Sequence, residues 1–258
     1  MSVAKTLADK VAIVTGAGGR GNSIGRAYAL ALAAAGARVL VADLNLEGAQ
    51  AVVDEIASRG GEAGAVRVDI ADPDSVGAMA EVARSAWGGV DILVNNAAMM
   101  AEITRRPLMD CPLEDWNKVL QVNLTGALNC CQAVVPMMVE RGGGKIVNQV
   151  SGGAFPPMGL YGISKLALVG LTTALAYELG PRNINVNAIA PGITNSDAGK
   201  KLTPQESPIR QMLERTVAMR VDGQPEDLVG PLLLLCSDAG SWIQGQVLHV
   251  DGGWIIRP

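Results

Sequence analysis

The chain holds a single histidine, His249, set in the apolar run Gln246-Val247-Leu248-His249-Val250. That scarcity removes histidine-cluster metal sites and H-E-x-x-H proteases, and it leaves Ser-His-Asp hydrolysis only if His249 itself serves. A lone histidine beside a terminal strand reads as structural, and no metal site is expected. Aromatic residues make up 3% of the chain, with one phenylalanine, too few for base-stacking platforms on single-stranded nucleic acid. The net charge is −4, so there is no basic footprint for DNA, RNA or an anionic membrane. The four cysteines (Cys111, Cys130, Cys131, Cys236) form no C-x-x-C pair and read as reduced, mostly buried thiols. No run of about 18 apolar residues occurs, so no membrane span is expected. The opening MSVAKTLADKVAIVTGAGG has no signal-type apolar stretch with a cleavage site, so a cytoplasmic location is expected.

What is present is a core. Hydrophobic residues are 49% and charged residues 18% of 258 positions, enough for one large α/β domain. Short β-branched runs at Val11–Thr15, Arg38–Ala42, Ala65–Asp69, Ile92–Asn95, Lys145–Val150, Asn185–Ile189 and Gln246–Val250 read as strands. Helical patterns lie between them at Ser23–Ala35, Leu46–Ser58, Pro73–Trp87, Leu113–Glu140, Leu160–Leu179 and Pro225–Ser237. This alternation predicts a doubly wound parallel sheet of the Rossmann type with helices on both faces. Its ligand site is expected at the carboxyl ends of the strands. Nothing divides residues 1–258 into more than one domain. The irregular stretch from Ala190 to about Ser207, rich in Pro, Gly, Thr, Ser and Asn, is expected to cover a substrate over about residues 190–215.

The first strand runs into Thr15-Gly16-Ala17-Gly18-Gly19-Arg20-Gly21-Asn22-Ser23-Ile24-Gly25 and then a helix. Glycines there let backbone approach a pyrophosphate, whose charge sits at the helix N-terminus. The second strand leads to Asp43, placed to accept from adenosine ribose hydroxyls and to repel a 2′-phosphate. NAD is therefore favoured over NADP. Arg20 is the one residue in this loop suited to meet a 2′-phosphate.

With these landmarks the sequence resembles the short-chain dehydrogenase/reductase superfamily, in its short single-domain branch. The likeness covers essentially the whole chain. It rests on the glycine loop, Asp69 after strand three, Asn95-Asn96-Ala97-Ala98, Asn123 in VNLTG, Ser151, Tyr161-Gly-Ile-Ser-Lys165, Pro191-Gly192 and the C-terminal Val250-Asp-Gly-Gly253. Three departures stand out. The glycine loop is longer than TGxxxGxG, and its Asn22-Ser23-Ile24 is similar to the enoyl-reductase branch, which spaces its tyrosine and lysine further apart. Ala98 replaces a glycine, and the Ser151–Tyr161 stretch is short, so the pocket wall over residues 152–160 should be shaped differently.

Tyr161 and Lys165 are four residues apart on a predicted helix and so share one face. A nearby ammonium favours a phenolate, and Lys165 is expected to lower the Tyr161 pKa toward the working range of a general acid–base. The resemblance implies that Tyr161 exchanges the proton of the substrate oxygen and that Ser151 hydrogen-bonds that oxygen. It implies that Lys165 also holds the nicotinamide ribose, and that Asn123 bends its helix and anchors a water leading to Lys165. For the cofactor it implies contacts from Gly16, Gly18, Arg20, Ser23, Ile24, Asp43, Leu44, Asp69, Ile70, Asn95, Ala97, Pro191, Gly192, Ile193 and Thr194. Met99, Met100, Phe155, Met158 and Leu160 group near the pocket mouth and suggest an apolar substrate. The activity implied is interconversion of a secondary alcohol and a ketone by a homotetramer. An enoyl or 3-oxoacyl reductase of fatty-acid type and a silent NAD-sensing protein stand as alternatives.

Overall fold

The computed structural model describes residues 6–256 apart from residues 20, 101–106, 156, 203 and 205. Seven strands run β1 Val11–Thr15, β2 Arg38–Asp43, β3 Ala63–Arg67, β4 Ile92–Asn95, β5 Gly144–Gln149, β6 Ile184–Pro191 and β7 Val247–Val250. They form one sheet in the order β3-β2-β1-β4-β5-β6-β7, and every neighbouring pair is parallel. β1 and β4 are buried along their whole length, as strands covered on both faces must be. Helices α1 Ile24–Ala34, α2 Leu46–Ser58 and α9 Val229–Cys236 belong to one side, where Leu32, Val52, Ile56 and Leu232 meet Val39, Val41 and Val94. Helices α3 Pro73–Trp87, α5 Gly126–Glu140 and α6 Gly159–Leu179 cover the other, with Met79, Val134, Met138 and Leu175 on Ile13, Leu40 and Leu93. Each fully buried aliphatic side chain here contributes about 1.5–3 kcal/mol.

The strand order reverses between β1 and β4, which opens a crevice at the carboxyl ends of both. Thr15, Asp43, Asn95, Gln149 and Pro191 are the last residues of their strands, so the reversal brings five distant segments to one rim.

Four sequence expectations shift. β3 ends at Arg67, paired with Asp43, rather than at Asp69. The Asp69 carboxylate instead accepts from the Ala71 amide at 3.0 Å and closes a turn. The stretch Leu113–Glu140 is α4 Leu113–Leu120, a π-helical segment Gln121–Thr125, and α5. The stretch beginning at Pro225 opens as a 3-10 turn, Pro225–Leu228, before α9. The stretch from Ala190 carries a short helix, α7 Asp197–Leu202, and α8 Pro208–Thr216 follows it. The Ser196 hydroxyl accepts from the Gly199 amide at 3.0 Å, an N-cap that makes so short a helix possible. Two helical stretches, Leu113–Glu140 and Gly159–Arg182, reach the length and hydropathy of membrane spans, but each is half buried in a fold where α5 meets α3 and α6 meets β6.

Candidate active site

The crevice is a cavity of about 1410 Å³, larger than the roughly 300–1,000 Å³ typical of one small ligand. Its floor starts at the glycine loop. Gly16 has φ +67, and a Cβ there would sit 2.6 Å from the Ala97 Cα, so the β1 turn and the β4 turn touch only because this residue is glycine. Thr15 and Asn96 fasten the two turns. The Thr15 hydroxyl accepts from the Asn96 and Ala97 amides at 3.1 and 3.2 Å, and the Asn96 amide group donates to the Thr15 and Gly16 carbonyls at 2.9 and 3.0 Å. Ser23 caps α1 by accepting from the Arg26 amide, which leaves the first turn facing the cavity through Ser23, Ile24 and Gly25. The Asp43 carboxylate sits at the rim and accepts from the Gly18 amide at 2.8 Å and the Asn45 amide at 2.9 Å.

Gly16, Ser23, Ile24, Asp43, Leu44, Asp69, Ile70, Ala97 and the run Pro191–Thr194 all line the cavity. Gly18 and Asn95 stand behind its wall. Gly18 supports Asp43, and the buried Asn95 amide group donates to Asn148 Oδ1 at 2.9 Å. Asn95 therefore joins β4 to β5, and its neighbour Asn96 faces the cavity. The period-two alternation of a strand contained that signal. Arg20 lies outside the described residues.

At the far end Ser151, Tyr161 and Lys165 share one wall. Ser151 follows β5; its hydroxyl lies beside the Tyr161 side chain, where it acts to lower that phenol's pKa, and accepts from the Gly153 amide at 3.1 Å. Lys165 Nζ lies 5.7 Å from the Tyr161 ring centroid and donates to the Gln149 carbonyl at 2.7 Å. Burial pushes Lys165 down to about 7, since a desolvated ammonium is disfavoured. Burial also pushes Tyr161 up, against the Ser151 hydrogen bond, which lowers it. The expected lowering of Tyr161 by an ammonium is thus overturned. Both groups occupy one desolvated wall, and an amine titrating near 7 carries only part of a charge at neutral pH.

Asn123 stands in the π-helical segment and does not line the cavity. Its amide group donates to the Met99 carbonyl at 2.9 Å and to Ser164 Oγ at 3.0 Å, and its oxygen accepts from the Met99 amide at 2.7 Å. Ser164 Oγ in turn donates to the Tyr161 carbonyl at 2.7 Å. Asn123 thereby holds the Met99 turn against α6.

The cavity is also lined by Met99, Met100, Met158, Pro204, Leu213 and Trp254. Phe155 and Leu160 do not line it: Phe155 packs against His249 with the rings tilted 59° and their centroids 5.1 Å apart, and Leu160 is buried. Trp254 was not anticipated as a wall. It is brought there by Asp251, whose carboxylate accepts from the Gly253 and Ile255 amides, both at 2.9 Å, with Gly252 and Gly253 at positive φ. A Cβ on Gly152 would sit 2.6 Å from the indole, so Trp254 rests directly on the residue after Ser151.

A dinucleotide-sized crevice at the strand reversal, with a hydroxyl, a phenol and an amine converging beside it, defines a Rossmann-type oxidoreductase. Comparison with known proteins agrees. The family model described as Enoyl-(Acyl carrier protein) reductase matches residues 19–255. An uncharacterized oxidoreductase of Mycobacterium tuberculosis is 48% identical over 248 residues, covering 96% of this chain and 98% of the relative. The 7alpha-hydroxysteroid dehydrogenase of Escherichia coli is 41% identical over 250 residues, covering 95% and 94%. The crystal structure of a putative NAD(P) dependent gluconate 5-dehydrogenase from Beutenbergia cavernae, with bound NADP at low occupancy, superimposes with TM-score 0.87 at 40% identity over 97% and 98% of the two chains. The chain belongs to the short-chain dehydrogenase/reductase superfamily, whose members use NAD(P).

Proposed function

We propose that the protein interconverts a secondary alcohol and a ketone on an apolar small molecule, with NAD(H) as its dinucleotide. The observation that carries this is the meeting of Ser151, Tyr161 and Lys165 at one end of the cavity, against a wall of methionines and Trp254. The residues fit a dinucleotide: the glycine turn tolerates no side chain at Gly16, and α1 presents its first turn to the cavity. When bound there, the nicotinamide supplies or accepts the hydride. Ser151 holds the substrate oxygen, and the Tyr161 hydroxyl gives it a proton in reduction or removes one in oxidation. Donors aimed at an oxygen that gains negative charge stabilise the transition state. Lys165, fixed on the Gln149 carbonyl and 5.7 Å from the Tyr161 ring centroid, would hold the nicotinamide ribose of a bound dinucleotide. Gly16, Ser23 and Ile24 would hold the pyrophosphate side, with Gly18 supporting Asp43 from behind and Arg20 in the same loop. Asp43, Leu44, Asp69, Ile70 and Ala97 would serve the adenosine half, while Asn95, tied to Asn148, only supports the end of β4 behind them. Pro191, Gly192, Ile193 and Thr194 serve the nicotinamide half.

The Asp43 carboxylate favours NAD, because an acidic rim repels a 2′-phosphate. Among the described lining residues, segment 196–213 and Trp254 bring no charge, which favours an uncharged skeleton, as does the likeness to a hydroxysteroid dehydrogenase. The four-residue Tyr161–Lys165 spacing favours carbonyl over enoyl reduction. Exposed Tyr177 and Trp242, 88% and 100% accessible, favour association into the homotetramer. The test is nicotinamide absorbance with NAD or NADP and a panel of secondary alcohols that includes hydroxysteroids. NAD-linked turnover is expected. Silence across the panel, in protein that NAD stabilises against heat, would refute the catalytic reading.

A further inference from the structure

The lengthened glycine loop has a second face. Asn22 does not line the cavity, and its contacts run to a segment 173–175 residues away. Its side-chain amide donates to the Asn195 carbonyl at 2.7 Å. Its backbone amide donates to Asp197 Oδ2 at 3.1 Å, and its carbonyl accepts from the Asp197 amide at 2.9 Å. Gly21, at φ +76, is pressed so close to the Asp197 carboxylate that a Cβ would collide with it. The far side of the same segment is cavity wall: Thr194, Ser196, Ala198 and Gly199 all line it. One short stretch is thus held from behind by the nucleotide loop while it faces the ligand space in front.

We propose that Asn22 is a positioning residue that docks the substrate-covering segment 194–202 onto the nucleotide loop. A dinucleotide held by that loop then fixes where the wall stands over the substrate. The inference rests on the dinucleotide reading above. Ser23, Ile24 and Gly25 follow Asn22 directly and line the cavity, so an anion that orders them orders Asn22 and, through three hydrogen bonds, the start of α7. Coupling of this kind is reciprocal: whatever steadies segment 194–202 tightens the nucleotide, and the nucleotide steadies the segment.

Limited trypsin digestion reads the segment without a substrate, because Lys200 and Lys201 are exposed on α7. Cleavage after them is followed by mass spectrometry with and without NAD, beside a melting curve of each sample. NAD is expected to slow wild-type cleavage by about tenfold, as proteolysis tracks the population of opened chain. In the Asn22→Ala/Asp197→Ala variant the protection should fall below about twofold while the NAD-induced rise in Tm persists. Asp197→Asn keeps an acceptor for the Asn22 amide and should keep the protection. Equal protection in the double variant overturns the proposal, as does an unprotected wild-type segment in protein that NAD stabilises. If NAD stabilises nothing, the dinucleotide reading itself falls and takes the docking role with it.

Discussion

The Lys165 amine and the Gln149 carbonyl meet at 2.7 Å, which ties α6 to the strand that delivers Ser151 two residues later. The Gln149 side chain is also held, since its Oε1 accepts from the buried Tyr28 hydroxyl of α1 at 2.8 Å. The amine is therefore placed by β5 and braced from the helix that follows the glycine loop. Lys165 is aimed by tertiary contacts, whereas its position one turn from Tyr161 is set by helix geometry.

Tyr161→Phe should cut kcat by about 10²–10⁴-fold, the range of a lost general acid–base, with NAD affinity little changed. Steady-state kinetics beside a fluorescence titration of NADH separate the two. Substantial residual turnover would contradict the proton-transfer role.

Lys165 carries a pH signature. Its folded value is about 7 against an ordinary 10.5, so between those values the unfolded chain binds a proton that the folded chain lacks. Stability from this group therefore rises with pH across that window and is flat below it. Relative to Lys165→Met, the wild type should gain in Tm from pH 7 to pH 9, by about a few degrees. Melting curves showing a constant or shrinking difference would exclude a buried, depressed lysine.

Asp43→Ser should weaken NAD by about tenfold and ease NADP acceptance, since it removes a ribose acceptor and a charge opposed to phosphate. It also frees the Gly18 amide that Asp43 holds. The ratio of kcat/KM for the two nucleotides is the measurement, and an unchanged ratio means the ribose contact lies elsewhere.

Asn123→Ala should destabilise the fold by about 2–4 kcal/mol, because it strips partners from the Met99 amide and carbonyl and from Ser164 in a buried site. Urea unfolding measures it, and a loss under about 1 kcal/mol would show those groups finding other partners.

Trp254→Ala should raise KM for an apolar alcohol by about tenfold with a smaller change in kcat, since it removes wall rather than chemistry. Gly152→Ala should mimic it, because its Cβ would displace the indole. A fall in kcat alone would place Trp254 away from the substrate.

Much of this was legible from residues alone. The strand–helix alternation, the glycine loop entering a helix, Asp43 at the end of β2 and the Tyr161–Lys165 face are all local, because chain periodicity and turn chemistry fix them within a few positions. Strand ends were less legible, because pairing decides them: β3 stops where Arg67 meets Asp43. The π-helical segment at Gln121–Thr125 was not legible as such, since it depends on Asn123 finding Met99 and Ser164 across the fold.

Sequence by itself determined which chemical groups the protein can use and the order in which its elements follow one another. It did so because helical and extended periods are properties of neighbouring residues. Only the tertiary structure decided which of two adjacent asparagines faces the crevice, that Trp254 lines it, and that Asn22 reaches Asp197. It also decided that burial sets Lys165 near 7 and holds Tyr161 up. Those outcomes belong to groups brought together from distant parts of the chain and cut off from water, and neither proximity nor desolvation is written in local order.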